Sequence, residues 1–281
     1  MKIGNHRIYL GDNVEILKRC PVNFIDLTVT SPPYDNAREY KGFSWDFEAL
    51  ALQLYRITKK GGVVVWVVND STINGSESCT SFKQALFFKE DCGFNLHDTM
   101  IYKKNNYLPL NHNRYDPEFE FMFVFSKGKP KSFNPLMTKC TYFGSSKSMA
   151  IDTSGSASED GCARRARDEK IVFKEFKYRG NVWGYDTGKH KGTKDDVWMH
   201  PATFPEKLAD DHIQSWSNAG DVVLDPFMGS ATTGKMAVLS GRKFIGIDIA
   251  EEYFELSRKR LERAVANKAE ADARDRRKLF K

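Results

Sequence analysis

Residues 24–36 read FIDLTVTSPPYDN. Phe24, Ile25, Leu27 and Val29, with Thr28 and Thr30 between them, suit a pleated and buried strand. Two prolines follow, which have no N–H for a ladder and hold their predecessors extended, so the strand ends at Ser31. A stiff corner of Ser31, Pro32, Pro33 and Tyr34 therefore stands at the C-terminal end of a strand, where open α/β sheets bind their ligands.

Downstream, the pattern predicts a helix over 46–59, a turn at Lys60-Gly61-Gly62 and an apolar strand over 63–68. A helix over 80–91 and strands over 96–102 and 118–125 come next. VVVWVV at 63–68 shows no polar alternation, so both of its faces are covered. This alternation predicts parallel strands joined by crossover helices. After a break, a helix is expected over 205–216, a strand at 222–224, a glycine-bearing turn, a helix, a strand over 243–247 ending at Asp248, and a charged helix from 251.

The break itself, residues 127–196, is rich in Ser, Gly and basic residues and has no long amphipathic period. It reads as an inserted, loop-rich region between two parts of one domain, 1–126 and 197–281. From Lys127 to Arg179 twelve Lys and Arg face six Asp and Glu, so this stretch carries an excess equal to the whole chain's net charge of +6. A positive insert on a nearly neutral body points to a polyanionic partner.

The 41% hydrophobic and 28% charged content of the 281 residues fits a globular chain. No apolar run approaches the ~20 residues of a membrane span, and the first residues lack a secretory apolar region, so the cytosol is the expected location. Five scattered cysteines without a CxxC pair, and six histidines without ligand spacing, indicate neither a disulfide frame nor a metal site.

Asp225-Pro226-Phe227-Met228-Gly229-Ser230-Ala231-Thr232 falls between a strand and a helix, where backbone approaches a ligand closely and a helix N-terminus offers N–H donors. About twenty residues on, Asp248 ends the next strand, the place from which a Rossmann-like carboxylate binds ribose hydroxyls. The pairing suggests a nucleoside cofactor. Ser31 Oγ and the Pro32 carbonyl would supply acceptors that draw an exocyclic amine's lone pair out of conjugation, Pro33 stiffens them, and Tyr34 offers a stacking surface. Asp12 reads equally well as a helix cap or a ligand contact.

Thr30-Ser31-Pro32-Pro33-Tyr34, followed far downstream by Asp225-Pro226-Phe227-Met228-Gly229-Ser230, resembles the β-class amino-methyltransferases of bacterial and phage DNA. Tyr9-Leu10-Gly11-Asp12-Asn13, His200-Pro201-Ala202-Thr203-Phe204-Pro205-Glu206 and Phe244-Ile245-Gly246-Ile247-Asp248 match further segments of that family in its order. The resemblance implies a Rossmann-like, doubly wound, mostly parallel sheet with permuted motif order and an inserted target-recognition region. It implies methyl transfer from S-adenosylmethionine to adenine N6 or cytosine N4 of a flipped-out base in duplex DNA, with a lean to adenine. Asp12 would reach the cofactor's adenine amine and Asp248 its ribose. Asp225, His200 and Thr203 would lie at its amino-acid end, and Phe227, Gly229, Ser230, Ala231 and Thr232 would line the pocket. Ala231 departs from the usual glycine. A homodimer is expected from the resemblance, and a restriction partner is not indicated.

Lys127, Lys129, Lys131, Arg164, Arg165, Arg167, Lys174, Lys177 and Arg179 are candidate phosphate contacts. Asn105, Asn106, Asn111, Asn113 and Arg114 are candidate base readers. Two other readings stand beside this one. A methyltransferase for RNA or for a protein amine would need no duplex-reading insert. A DNA-binding protein that kept the fold and lost catalysis would not need the intact acceptors and carboxylates.

Overall fold

The structure, a computed structural model, describes residues 1–33, 45–107, 109, 113–141, 143, 146–150, 168–172, 174–187 and 205–279. Tyr34, Asn111, Arg164, Arg165, Arg167, His200 and Thr203 lie outside the described residues.

In chain order the elements are β1 (Lys2–Ile3), β2 (His6–Leu10), α1 (Asn13–Lys18), β3 (Ile25–Thr30), α2 (Phe47–Ile57) and β4 (Thr58–Val68). A short hairpin, β5 (Thr72–Ile73) and β6 (Ser76–Glu77), leads to α3 (Thr80–Glu90), β7 (Asn95–Lys104) and β8 (Phe119–Ser126). Then come β9 (Met137–Lys139), β10 (Ser146–Ala150), β11 (Asp168–Val172), β12 (Phe176–Tyr178) and β13 (Val182–Tyr185). The chain finishes with α4 (Glu206–Trp216), β14 (Val222–Asp225), α5 (Thr232–Leu239), β15 (Lys243–Asp248) and α6 (Glu251–Leu279).

Nine strands form one sheet in the order β1-β2-β15-β14-β3-β4-β8-β7-β13. From β2 to β4 the neighbours are parallel, and every residue of β3 is buried. Valines 63–65, 67 and 68 and Trp66 of β4 are likewise sealed on both faces, as the unbroken apolar run predicts. Helix α2 starts where Asp46 accepts the Ala49 N–H at 3.0 Å and turns Leu50, Ala51, Leu54 and Ile57 into the core.

The sheet is mostly parallel, as expected, with an antiparallel strand at β8, which runs opposite to both β4 and β7. Parallel neighbours need a long crossover, usually a helix, and none lies between β7 and β8 among the described residues.

The chain divides into two compact units, Met1–Asn134 with Asn181–Lys281, and Pro135–Gly180. Residues 127–134 thus belong with the sheet, as does β13, which lies inside the stretch read as an insert. Within the smaller unit β9 pairs with β12 and β10 with β11, so a stretch expected to be loop-rich contains two antiparallel ribbons. Strands this short carry too few alternations to stand out from loop sequence. No helix among the described residues is long and apolar enough to cross a membrane.

Candidate active site

The chain runs outward from β3 to β4 on one side and from β14 to β15 on the other, so β3 and β14, paired side by side, form the topological switch point. The crevice beyond their C-terminal ends is where such a sheet takes its ligand. Ser31-Pro32-Pro33 leaves the end of β3, and Asp225 closes β14.

One hydrogen bond ties the two corners together: Thr30 Oγ1 donates to Asp225 Oδ1 at 2.7 Å. Asp225 is 2% exposed and also accepts the Phe227 N–H at 3.1 Å. From the first turn of α5, Thr233 Oγ1 donates to the Val29 carbonyl at 3.1 Å, tying that helix to β3. Burial pushes the Asp225 carboxyl up to about 6, against the pull of its hydrogen bonds from Thr30, Phe227 and Thr233.

Thr30→Val keeps the side-chain shape, removes that donor and leaves a buried carboxylate one partner short. A loss of ~2 kcal/mol is expected for a hydrogen bond to a charged group, lowering the melting temperature by about 5 °C in a chain of this size. Thermal unfolding followed by circular dichroism measures it.

Asp248 ends β15, two strands from β3. Its Oδ2 accepts the Gly229 N–H at 2.8 Å and its Oδ1 the Ala250 N–H at 2.9 Å. Burial raises it too, to about 6, while N–H groups of Ala250, Gly229 and Ile249 draw it down. The Met228 N–H donates to the Ile247 carbonyl at 2.9 Å, and the Gly11 N–H to the Asp248 carbonyl at 2.8 Å. Asn13 Nδ2 reaches the Pro226 carbonyl at 3.2 Å. Asp12, Asp225, Phe227, Gly229 and Asp248 are thus gathered at one edge of the sheet.

Asp12 caps α1, one carboxylate oxygen accepting the Glu15 N–H at 2.9 Å, and its side chain is exposed. Phe227 packs edge-on against Trp45 at 4.9 Å between ring centroids, so Trp45 walls the same edge. Gly246 lets the turn lie close, since a Cβ there would overlap Met228 Sδ and approach the Phe244 ring to 2.7 Å. Ala231, buried, holds a left-handed φ of +56°. That conformation costs an L-residue ~1–2 kcal/mol, which a buried methyl at ~0.8 kcal/mol partly offsets, so alanine can stand where glycine is usual.

Several proposed nucleic-acid contacts have other duties. Lys127 Nζ donates to Asn23 Oδ1 at 3.0 Å and to the Tyr55 and Thr58 carbonyls at 2.8 and 3.0 Å, capping the end of α2. Lys127, Lys129 and Lys131 lie beside Gly61 and Gly62, at the N-terminal end of β4 and so at the sheet edge opposite the crevice. The six residues from Val63 to Val68 put roughly 20 Å between the two edges.

Asn105 and Asn106 hold the edge strand: the Asn105 N–H donates to the Tyr185 carbonyl at 3.0 Å, and Asn106 Oδ1 accepts the Thr187 N–H at 2.6 Å. Arg114 donates to the Gly75 carbonyl at the tip of the β5–β6 hairpin, and Asn113 beside it is exposed. Lys174, Lys177 and Arg179 belong to the smaller unit, where both lysines are exposed.

Arg260 escaped the sequence reading, and Glu206 entered it only as the last residue of a matched segment. Arg260 sits on α6, 4% exposed, and donates to the Ser230 carbonyl at 2.7 Å and to Glu206 Oε1 at 2.5 Å. A signal existed: Ser257, Arg260, Leu261 and Ala264 are spaced as one buried helical stripe, with an arginine in its middle.

The profile of a family described as DNA methylase matches residues 25–259. The chain belongs to that family. The methylase is 52% identical over 245 residues to the orphan methyltransferase M.BamHII of Bacillus amyloliquefaciens, covering 84% of this chain and 88% of that one. It is 28% identical over 281 residues to the DNA adenine methyltransferase YhdJ of Escherichia coli K12, covering 96% and 87%. The solved PvuII DNA methyltransferase, described as cytosine-N4-specific, shares its fold with a TM-score of 0.67 at 21% identity, over 95% and 92% of the two chains.

The methylase is therefore a DNA amino-methyltransferase, and S-adenosylmethionine is its methyl donor, the ligand with which family structures have been solved. The residues present fit that donor. A carboxylate has about four acceptor directions, so Asp248 retains capacity for a hydroxyl beyond its backbone partners. Asp225 and Asp248, anionic above about pH 6, suit a ligand bearing sulfonium and ammonium charges.

Proposed function

We propose that the methylase modifies one base of a specific duplex site at the crevice between β3 and β14, adenine N6 in preference to cytosine N4. The observation that carries this reading is the 2.7 Å bond from Thr30 to Asp225, which sets the Ser31-Pro32-Pro33 corner directly beside the turn assigned to the cofactor. Ser31 and the Pro32 carbonyl accept hydrogen bonds from the target amine, and Tyr34 stacks on the ring. Asp12, Asp225, Phe227, Gly229, Ser230, Ala231, Thr232 and Asp248, with His200 and Thr203, bind S-adenosylmethionine. When bound, that ligand supplies an electrophilic methyl; the chain's residues aim the nitrogen at it and keep its lone pair available.

Reaching the amine requires rotating the base out of the helix, at a cost of a few kcal/mol that stacking on Tyr34 partly offsets. The lean to adenine is supported by the 28% identical relative described as an adenine enzyme. Likeness to an orphan enzyme supports action without a restriction partner. Homodimer formation is a further part of this reading, and a monomer mass by light scattering would count against it.

Recognition is assigned to the stretch 127–196, within which the unit Pro135–Gly180 contributes Lys174, Lys177 and Arg179, and the basic run adds Arg164, Arg165 and Arg167. Neutralising Arg164, Arg165 and Arg167 together is expected to flatten the slope of log affinity against log salt by about 2.7. Anisotropy titrations over a salt series read it, and an unchanged slope removes those arginines from the interface.

Long-read sequencing of DNA from cells expressing the protein tests the whole proposal by reporting base and site together. Unmodified DNA, or label transferred to RNA or protein instead, overturns it.

A further inference from the structure

We propose that Arg260 is a positioning residue for the cofactor turn and that Glu206, at the start of α4, holds Arg260 in place there, an inference resting on the assignment of residues 229–232 to S-adenosylmethionine. A guanidinium is rarely buried unless its donors are engaged. Here Nη1 donates to the Ser230 carbonyl at 2.7 Å and to Ser230 Oγ and Thr232 Oγ1 at 3.2 Å each, while Nη2 donates to Glu206 Oε1 at 2.5 Å. All four acceptors lie outside α6.

The Ser230 carbonyl belongs to the peptide that leads into Ala231, the non-glycine residue held at φ +56°. The other side of that peptide, the Ala231 N–H, donates to the Met228 carbonyl at 2.7 Å. Arg260 therefore grips one side of a peptide plane whose other side closes the turn, and it opposes relaxation of Ala231 out of the left-handed region.

Glu206 brings in the second half. It is the first residue of α4 and follows directly on the His200–Pro205 stretch assigned to the cofactor's amino-acid end. Its Oε1 also receives Lys235 Nζ from α5 at 2.9 Å, so one carboxylate draws α4, α5 and α6 together beneath the turn. The arginine head also donates to oxygens of the turn itself. A lysine at 260 would keep the charge but lose the planar fork that reaches Ser230 and Glu206 at once.

The test uses the full chain, with S-adenosylmethionine affinity by calorimetry, affinity for a duplex carrying the site, turnover at saturating cofactor, and melting temperature. Arg260→Lys and Glu206→Gln are each expected to weaken S-adenosylmethionine roughly tenfold or more, with DNA affinity and saturated turnover within about twofold of the parent. Lys235→Gln, which removes one cation from Glu206 but leaves the Arg260 hydrogen bonds to the turn in place, is expected to leave cofactor affinity within about twofold. Unchanged cofactor affinity in both Arg260→Lys and Glu206→Gln overturns the proposal. So does an equal loss in all three variants that tracks their melting temperatures, which is what a general packing role gives. If Arg260→Lys fails to fold, Glu206→Gln decides alone. Asp248→Ala separates the two levels: cofactor affinity unchanged there as well would remove the underlying assignment of the site, whereas loss there alone removes only the Arg260 and Glu206 coupling.

Discussion

Replacing Ser31 by alanine is expected to lower turnover by ~10²- to 10³-fold while S-adenosylmethionine binds as before, the size found for removal of one well-aimed polar group from a transition state. The exocyclic nitrogen must lose conjugation with its ring as the methyl arrives, and an acceptor on its N–H favours that change only once it has begun. Ser31 leaves the end of a wholly buried strand and is followed by a buried proline, so its direction is fixed before substrate arrives. The Pro32 carbonyl remains in the variant, which is why residual activity is expected. Tyr34→Ala should act differently, raising the apparent KM for DNA as well as slowing turnover, because stacking holds the base through the whole reaction. Single-turnover methylation with labelled cofactor separates the two effects; full activity in Ser31→Ala would remove the serine from the chemistry.

S-adenosylmethionine is expected to bind about tenfold more tightly near pH 7.5 than near pH 5 for each carboxylate whose ionisation it favours. In the free protein Asp225 and Asp248 are both raised to about 6, chiefly by burial. The sign for stability runs opposite to that of an ordinary ion-paired aspartate. Because the folded state holds these protons more firmly than the unfolded chain, folding stability falls as pH rises from about 4 to about 6 and is level above. For Asp225, 2% exposed, a rise of about two units corresponds to ~3 kcal/mol lost over that window. A cationic ligand beside the two groups pulls their ionisation downward, so the cofactor restores stability most where the free protein has lost most. Calorimetric titration at several pH values, paired with urea unfolding with and without cofactor, reads both sides of the linkage. Affinity flat across the range would show that neither carboxylate faces the cofactor's charges.

Much of this architecture could be read from residues alone, because the features concerned are local. β3 and β4 announce themselves since a strand covered on both faces has no polar alternation to hide in. The cofactor turn is visible because a strand, a short glycine-bearing turn and a helix follow one another in a few residues. What stayed hidden is long-range or directional. A run such as FEFMFVFS has the same pattern whichever way it lies against its neighbour, so the antiparallel course of β8 showed only as a missing helix upstream. Lys127 looked like one more positive charge in a basic stretch, yet its partners are carbonyls some seventy positions earlier. Arg260 looked like the surface of a charged helix, and its role needs Ser230 and Glu206 brought to it by folding.

The smaller unit leaves and rejoins the sheet unit at two asparagines that are both held fast. Asn134 Nδ2 donates to the Gln214 and Ser217 carbonyls at 3.0 and 3.1 Å, and the Asn181 carbonyl accepts the Ile101 N–H at 2.9 Å. With its two mooring points fixed independently of what lies between them, residues 135–180 form a cassette whose replacement breaks no rung of the nine-stranded ladder. Exchanging that cassette would therefore alter the stretch proposed to read DNA while leaving in place the strand ends proposed to carry the methyl transfer.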